Sequence, residues 1–244
     1  MAELSLVMPT KNRAHLIGET IQTIFQQTFK DWELVIVDDN STDKTLKVVK
    51  KFQDQRISYY KLPSRLGGGP AIARNFGNLL AKTEIIVVVD SDDLNYPERL
   101  DITYDFFQKN PETDLFYAHA DVWEIEKNLR RERRLPFTPF SIEEFKKVDF
   151  IPHPTVAYRK KTILEFPYNP IFLFAEDYDM ISRMAIAGKK IGYVNKKVVT
   201  QRFHPGRLSE DRTTQEKFAK LVRVTRDWEK GDINLDFLLE EIKK

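Results

Sequence analysis

The chain has 244 residues, of which 41% are hydrophobic and 12% aromatic, so it can bury a substantial core. Its 39 basic and 37 acidic residues leave a formal charge of +2, which excludes a general affinity for nucleic acid and confines electrostatic specialisation to local clusters. The sequence has no cysteine, which excludes disulfides, thiolate metal sites and cysteine nucleophiles.

The apolar runs of the chain are short. None approaches the roughly 18 residues of a membrane-spanning helix, and the run at residues 4–8 is too short for a signal peptide. The lack of cysteine fits a reducing compartment. We therefore expect a cytoplasmic protein, and peripheral contact with the inner face of the membrane stays open.

Strands and helices alternate along the first 110 residues. Short β-branched apolar runs predict buried strands at residues 4–8, 32–37, 57–62 and 84–90. Apolar residues at helical spacing predict helices between the strands, at residues 16–25, 43–52 and 70–80. We expect Pro9 to end the first strand. This order predicts an α/β fold with a doubly wound, mostly parallel sheet flanked by helices.

The pattern changes after residue 110. Further elements are predicted as strands at 114–125, 155–158 and 191–203, a helix at 176–187, and two amphipathic helices from 211 onward. The basic stretch 127–134 is either the return arm of a hairpin or a solvated loop. With no linker in sight, we expect one continuous domain composed of residues 1–110, 111–210 and a helical extension 211–244.

An acidic cluster, Asp90-Ser91-Asp92-Asp93, follows the strand predicted at 84–90. Ligands of open α/β sheets bind at the carboxyl ends of strands, and carboxylates two residues apart suit Mg²⁺ or Mn²⁺. The alternative is that Asp92 or Asp93 caps a helix starting near residue 96. The residues alone do not decide between these two readings.

Two other features lie at the same predicted edge. Asp38 and Asp39 follow the second strand, where carboxylates can bind a base or ribose, or instead form Asx turns. Arg65 and Arg74 flank a glycine-rich turn that opens a helix, an arrangement that favours phosphate but also fits an ordinary surface turn. Neither GxxxxGK[ST] nor GxGxxG after the first strand is present, so neither an ATPase nor a dinucleotide enzyme is supported.

Four ordered motifs carry a family resemblance. They are VMPTKNR at 7–13, QTFKDWELVIVDDNSTD at 27–43, ARN at 73–75 and VDSDD at 89–93. Across residues 4–110 they resemble the family 2 glycosyltransferases of the GT-A fold, including the spore-coat-polysaccharide type. The resemblance implies an inverting, metal-dependent transfer of a sugar from a nucleotide-sugar, most often a UDP-sugar, to an acceptor hydroxyl in glycan or polysaccharide synthesis.

The resemblance also implies roles for individual residues. The nucleotide-sugar would be bound by Pro9, Thr10, Asn12, Arg13, Asp39, Arg74, Asp90, Ser91 and Asp92. Mn²⁺ or Mg²⁺ would be held by Asp92, with Asp90 shared between ribose and metal, while Asp93 shapes the loop. The acceptor, which lies beyond the sequence evidence, would be a glycan, a lipid-linked sugar or a small molecule.

The family further implies a catalytic base near a Glu-Asp pair, which Glu176 and Asp177 supply. Asp177 shares helical spacing with apolar residues and should face the cleft, whereas Asp179 is placed to pair with Arg183. Acidic residues also gather in a helix's first turn simply because they complement its dipole. With the upstream motifs present, we predict Asp177 as the base.

Two histidines complete the predicted site. His204 follows a predicted strand and would be a metal ligand by family resemblance, although a lone histidine is more often structural. His153, together with Glu176, would lie on the acceptor or sugar side. Two alternatives stay open: a sugar-1-phosphate nucleotidyltransferase, whose glycine-rich loop is absent from residues 9–13, and a non-catalytic nucleotide-sugar-binding protein.

Overall fold

A computed structural model describes residues 2–66, 68–132, 139–207 and 212–226. The strands are β1 Leu4–Thr10, β2 Trp32–Asp38, β3 Ile57–Lys61, β4 Ile85–Val88, β5 Leu94–Asn95, β6 Leu115–Glu124, β7 Leu129–Glu132, β8 Ala157–Arg159 and β9 Ile191–Phe203. The α-helices are α1 Ile17–Phe25, α2 Thr45–Val49, α3 Pro70–Leu80, α4 Arg99–Lys109, α5 Ile142–Phe145, α6 Lys160–Glu165, α7 Glu176–Ile186 and α8 Arg212–Thr225.

The described strands form one sheet in the order β3-β2-β1-β4-β8-β6-β9-β5, with β7 paired to β6. Strands β3, β2, β1 and β4 are parallel, as the β-α alternation predicted. Every residue of β1 and β2 is buried, because helices cover both faces of a doubly wound sheet. The order in which successive strands join the sheet reverses between β1 and β4, and a crevice opens at the carboxyl ends of these two strands.

The prediction that Pro9 ends the first strand is wrong, since β1 continues to Thr10. The Val7 carbonyl accepts a hydrogen bond from the Val89 N–H on the β4 side, and the Thr10 carbonyl accepts one from Asp39 on the β2 side. Backbone groups of a parallel strand alternate between its neighbours. Pro9 therefore faces the β4 side beyond the last paired residue of β4, where its missing N–H costs no ladder bond.

The second predicted helix is shorter than expected, Thr45–Val49 rather than 43–52. The amides of Lys51 and Phe52 bond to carbonyls three residues back, at Val48 and Val49, so the chain tightens into a final turn and leaves the helix. Asp43 stands before the helix, where its Oδ1 accepts from the Thr45 N–H at 2.9 Å.

The carboxyl-terminal part of the sheet is mixed. Strand β6 pairs in parallel with β9 and antiparallel with β8 and β7. Of the two readings of the basic stretch, the hairpin is correct over Leu129–Glu132, while residues 133 and 134 lie outside the described residues. The predicted strand at 155–158 begins instead as a 3-10 turn, His153–Thr155, before β8.

The core lies on both faces of the sheet. Alternate residues of β1 contribute to opposite sides, with Val7 in one apolar cluster and Leu6 and Met8 in the other. The cluster around Val7 also contains Tyr178 of α7 and Val222 of α8, so both helices pack against the face that α3 covers. The second helix predicted after 211 falls beyond residue 226, outside the described residues. None of the described helices combines the length and apolar character that a membrane span requires.

Candidate active site

A cleft of about 1570 Å³ opens at the carboxyl ends of β1, β2 and β4. Every predicted site residue except His204 lines it: Pro9, Thr10, Asn12, Arg13, Asp39, Arg74, Asp90, Ser91, Asp92, His153, Glu176 and Asp177. The topology accounts for this convergence, because parallel strands end at one edge and the loops beyond them share one crevice. Arg65, the other arginine of the glycine turn, is exposed and lies outside the cleft lining.

Asp39 is held by the glycine turn. Its two carboxylate oxygens accept hydrogen bonds from the Gly68 and Gly69 amides, at 3.2 and 3.1 Å, and Oδ2 also lies 3.1 Å from Lys11 Nζ. The amides that the sequence suggested for a phosphate are thus engaged by a carboxylate. Thr10, at the end of β1, lines the cleft and has a buried hydroxyl with no hydrogen-bond partner.

Asn12 joins the loops that follow β1 and β2. Its backbone is left-handed, with φ +53°, and its Oδ1 accepts from the Thr42 N–H at 2.8 Å. Its own N–H donates to Ser41 Oγ at 2.8 Å. The neighbouring Asp38 forms the local turn considered from the sequence, since its Oδ1 accepts from the Ser41 N–H. These contacts shape the cleft rim rather than present free groups.

The acidic cluster after β4 divides into separate environments. Asp92 Oδ2 lies 3.0 Å from Arg13 Nε and 3.1 Å from His204 Nε2. Burial would raise the pKa of Asp92, but the hydrogen bond from His204 and the charge of Arg13 together hold it below the usual value. Arg13 and His204 therefore both contact the Asp92 carboxylate.

Asp93 supports the loop. Its buried Oδ1 accepts from the Arg202 N–H at 2.8 Å, and burial, reinforced by the charges of Asp92 and Asp90, raises its pKa well above the ordinary value. This matches the loop-shaping role expected from the sequence. Neither Asp92 nor Asp93 caps α4, whose N-cap is Glu98.

Among the described residues, no group of three or more His, Asp or Glu is arranged to hold a metal ion. Asp92 and His204 nevertheless converge on one point: His204 Nε2 lies 3.1 Å from Asp92 Oδ2, and Nδ1 lies 2.8 Å from the Pro205 carbonyl. In the tautomer that donates to Asp92, Nε2 carries the proton; in the other neutral tautomer, Nδ1 donates to the Pro205 carbonyl and Nε2 can bind a cation. Asp92 and His204 fit a divalent cation that takes its other ligands from water or phosphate.

Arg74 bridges two parts of the cleft. It is buried on α3, and its guanidinium donates to Asp90 Oδ1 at 3.0 Å and to Glu176 Oε1 at 2.7 Å. Burial raises the pKa of Glu176 to about 7, against the opposing effect of Arg74. The residue predicted to bind the nucleotide or diphosphate thus also joins the loop after β4 to the start of α7.

The acidic side chains in the first turn of α7 point to different sides of the helix. Asp177 is half-buried and lines the cleft, where its Oδ1 accepts from the adjacent Tyr178 N–H. Asp179 is fully buried and pairs with Arg183 at 2.9 Å and with Arg226, the residue after α8. The predicted orientations of Asp177 and Asp179 are confirmed.

His153 lies beside this turn, buried in the cleft lining, with Nε2 2.9 Å from the Tyr168 hydroxyl. Burial, helped by the charge of Arg74, lowers the pKa of His153 to about 4, so the ring is neutral at physiological pH. It can therefore orient a hydroxyl but carries no charge.

Several cleft residues had no role in the sequence interpretation. Lys11 and His15 lie within or beside the first motif, while Arg207 comes from the far region. Arg202 is buried and binds Glu19, the Leu16 carbonyl and the Thr20 hydroxyl. No sequence signal reveals the Arg202 contacts, because their partners lie more than 180 positions away.

Comparison with known proteins shows a family match. The sequence profile described as Glycosyl transferase family 2 matches residues 5–165. An uncharacterised glycosyltransferase of Methanocaldococcus jannaschii is 29% identical over 186 residues, covering 72% of this chain and 62% of the relative. An Escherichia coli protein named UDP-Glc:alpha-D-GlcNAc-diphosphoundecaprenol beta-1,3-glucosyltransferase is 27% identical over 220 residues, covering 90% of this chain and 83% of the relative. The chain thus spans less than two thirds of the archaeal relative's length.

Solved structures share the fold at low identity. Residues 1–349 of Staphylococcus aureus TarS in complex with UDP-GlcNAc match with a TM-score of 0.72 and 20% identity, covering 98% of this chain and 70% of that one. The Pyrobaculum calidifontis mannosyltransferase in complex with GDP-Man and Mn²⁺ matches with a TM-score of 0.72 and 16% identity, covering 98% and 68%.

Proposed function

The chain belongs to glycosyl transferase family 2 and has the GT-A fold, and from this premise we propose that it transfers a sugar from a UDP-sugar to an acceptor hydroxyl in glycan or polysaccharide synthesis. One observation carries the proposal. Arg74 binds both Asp90 of the strand-end cluster and Glu176, the neighbour of Asp177, so the groups suited to donor and acceptor face one cleft. The UDP-GlcNAc complex of TarS supports UDP as the nucleotide.

The donor would lie along the ends of β1, β2 and β4. The unpartnered hydroxyl of Thr10 supports a hydrogen bond to the nucleoside, and Asp39, although engaged by backbone amides, keeps a carboxylate at the cleft wall. Pro9, Ser91 and the Asn12 loop define the rim. Arg13 and Arg74 are the nearby cations suited to the diphosphate.

Three residues would serve a divalent cation. Asp92 and His204 would hold Mn²⁺ or Mg²⁺, with Asp90 of the same loop as a third candidate ligand, and the cation would neutralise charge on the departing diphosphate. The Mn²⁺ complex of the archaeal mannosyltransferase supports this assignment. Arg74 would add fixed positive charge from within the protein.

Asp177 would take the proton from the acceptor hydroxyl. Asp177 is the more exposed of the two carboxyl groups of the α7 turn that line the cleft, whereas Glu176 is buried and bonded to Arg74. With one base and an in-line displacement at C1, the configuration of the transferred sugar inverts. His153, neutral and bonded to Tyr168, would help to orient the sugar or acceptor.

A donor panel tests the function. UDP, GDP and dTDP, each with and without Mn²⁺, are added to the full chain, and the thermal midpoint and UDP release from UDP-sugars are measured. A ligand present at 100 times its Kd should stabilise the folded protein by about 2.7 kcal/mol. We expect the largest shift from UDP with Mn²⁺.

The competing functions predict other results from the same panel. Pyrophosphate release from UTP and a sugar phosphate would favour the nucleotidyltransferase. Nucleotide binding with neither transfer nor donor hydrolysis, tested across UDP-sugars and acceptors, would favour the non-catalytic binding protein. A protein that no nucleotide stabilises would contradict the proposal.

A further inference from the structure

The carboxyl ends of β6 and β9, with β7, form an outer wall of the cleft that the donor and base assignments leave unused. Strand pairing sets Val122 of β6 opposite Arg131 of β7 and Gln201 of β9. Phe203 lies two residues beyond Gln201. Because side chains of a strand alternate, Arg131, Gln201 and Phe203 project from the same face, and each lines the cleft.

Phe203 holds two guanidinium groups at this wall. The Cζ atom of Arg207 lies 3.6 Å from the centroid of the Phe203 ring, and the Cζ atom of Arg131 lies 6.0 Å from it. Both distances are within the range of about 6 Å over which a cation is attracted to an aromatic face. The ring therefore fixes two planar cations whose N–H groups match the oxygens of a phosphate.

The carboxylates near this wall do not cancel its charge. Glu124 accepts from Lys127 Nζ at 2.9 Å as well as from Arg131 Nε at 3.1 Å, so one carboxylate serves two cations. Glu132 and Asp121 share Lys197, whose Nζ lies 2.6 and 3.2 Å from their carboxylate oxygens. The four cations Lys127, Arg131, Lys197 and Arg207 outnumber the three carboxylates Glu124, Glu132 and Asp121, so the wall keeps a net positive charge that an anionic ligand can use.

The β7 side of the wall lies away from the donor site. Strand β9 touches the acidic cluster, because the Arg202 N–H binds Asp93, and the charge of Arg207 acts on the same carboxyl group. Strand β7 is two strands away from β9, on the other side of β6, which corresponds to about 9.6 Å. Arg131 thus lies on the outer part of the cleft, where an acceptor rather than the nucleotide would enter.

We propose that Arg131, with Arg207 across the Phe203 ring, binds a phosphate carried by the acceptor. This inference rests on the proposed function, since it assigns the acceptor class of that same site. The phosphate would belong either to a sugar phosphate of a glycan or to a lipid headgroup, and the chemistry of recognition is the same for both.

Strand β7 provides a matched control for the test. Arg130 is the adjacent residue, is exposed, carries the same charge, and stacks over Trp123 on the opposite face of the hairpin, with its Cζ 4.7 Å from the ring centroid. Arg131→Gln and Arg130→Gln therefore remove equal charge from one short strand. Both side chains are on the surface, so the thermal midpoint should be retained in both variants.

The experiment measures binding of N-acetylglucosamine 1-phosphate and N-acetylglucosamine to the full chain with UDP present, by ligand-observed NMR. The wild type and Arg130→Gln should bind the phosphate compound at least tenfold more tightly than the neutral sugar. Arg131→Gln should lose about tenfold of that preference while binding the neutral sugar and UDP as before.

Three outcomes would overturn the inference: equal binding of both sugars by the wild type, equal losses in the two variants, or a loss in Arg130→Gln alone. Phosphatidylglycerol vesicles distinguish the sources. Arg131-dependent capture of the vesicles as well as the sugar phosphate indicates a lipid headgroup, and Arg131-dependent binding of the sugar phosphate without vesicle capture indicates a glycan phosphate. Sugar-phosphate binding that does not depend on Arg131 contradicts the proposed site. If UDP binds normally and the preference is absent, this inference fails alone; if no nucleotide binds, the proposed function fails first.

Discussion

The two regions of the molecule build their shares of the cleft differently. In residues 2–110, parallel strands end at one edge, and loop contacts such as Asp39 with Gly68 and Gly69 hold the polar groups. In residues 111–226, buried ion pairs do this work: Glu176 pairs with Arg74 of the first region, and Asp179 pairs with Arg226. The nucleotide side of the cleft, from residues 2–110, is thus positioned mainly by the backbone. The acceptor side, from residues 111–226, depends on a few side chains and should respond more strongly to single substitutions.

The largest effect on stability is expected from Arg74→Met. The substitution leaves Glu176 and Asp90 without their cation, and breaking a buried pair from one side costs about 3–5 kcal/mol. Lys82→Met is the control, because Lys82 is 76% exposed and its pair with Glu33 should contribute about 0–1 kcal/mol. Chemical denaturation measures both. Equal, small losses would contradict the claim that the buried pair of Arg74 with Glu176 holds the acceptor side of the cleft.

The Arg74→Met loss should also depend on pH through Glu176. Burial raises the pKa of Glu176 to about 7 in the folded protein, above its unfolded value, so its favourable contribution is present at low pH and is lost as pH rises through that range. In the Arg74→Met variant, the buried Glu176 side chain lacks a compensating positive charge only at pH values where it is ionised. Denaturation at pH 5 should therefore show a smaller deficit than at pH 8, and a deficit that grows on acidification would contradict the assignment.

The next effect concerns the cation site. Asp92→Asn should weaken Mn²⁺-dependent UDP binding by about 10- to 100-fold, the scale of one charged contact, while metal-free UDP binding changes little. Asp93→Asn is the matched control one position away, since an amide oxygen can still accept from the Arg202 N–H. Calorimetric titration with and without Mn²⁺ distinguishes them. Unchanged metal dependence in Asp92→Asn would count against Asp92 as a ligand.

The smallest effect is expected where the backbone does most of the positioning. Thr10→Val removes a buried hydroxyl that has no partner, so stability should hold or rise, while UDP affinity falls by about 1 kcal/mol, or roughly fivefold. Thr103→Val is the control, because that hydroxyl bonds to the Arg99 carbonyl at 2.9 Å on α4. It should lose stability and keep UDP binding. The reverse pattern would exclude Thr10 as a nucleoside contact.

Local patterns allowed the sequence to predict much of this arrangement. Apolar runs gave the four parallel strands, and acidic residues after strands gave Asp39 and Asp92 as cleft residues. Helical spacing placed Asp177 towards the cleft and Asp179 towards Arg183. Each of these inferences uses neighbours within a few positions, where periodicity determines which side chains share a face.

Such local patterns do not predict contacts between residues that are far apart in the sequence. Nothing local indicates that Asn12 would bind the Thr42 amide, or that Asp39 would occupy the glycine-turn amides assigned to phosphate. Pro9 was misjudged because its effect depends on where the neighbouring strand β4 ends. Arg131 became a cleft residue only once the register of β7 on β6 fixed its face.

The central claim is that the nucleotide side binds the donor while the acceptor side supplies the base, and Asp177→Asn separates these two steps. With UDP-sugar and an acceptor that the wild type uses, the variant should lose about 10²- to 10⁴-fold in kcat, the usual contribution of a general base. Its Kd for UDP, measured on the same preparation, should be unchanged. Transfer near the wild-type rate, or loss of UDP binding together with transfer, would contradict the account.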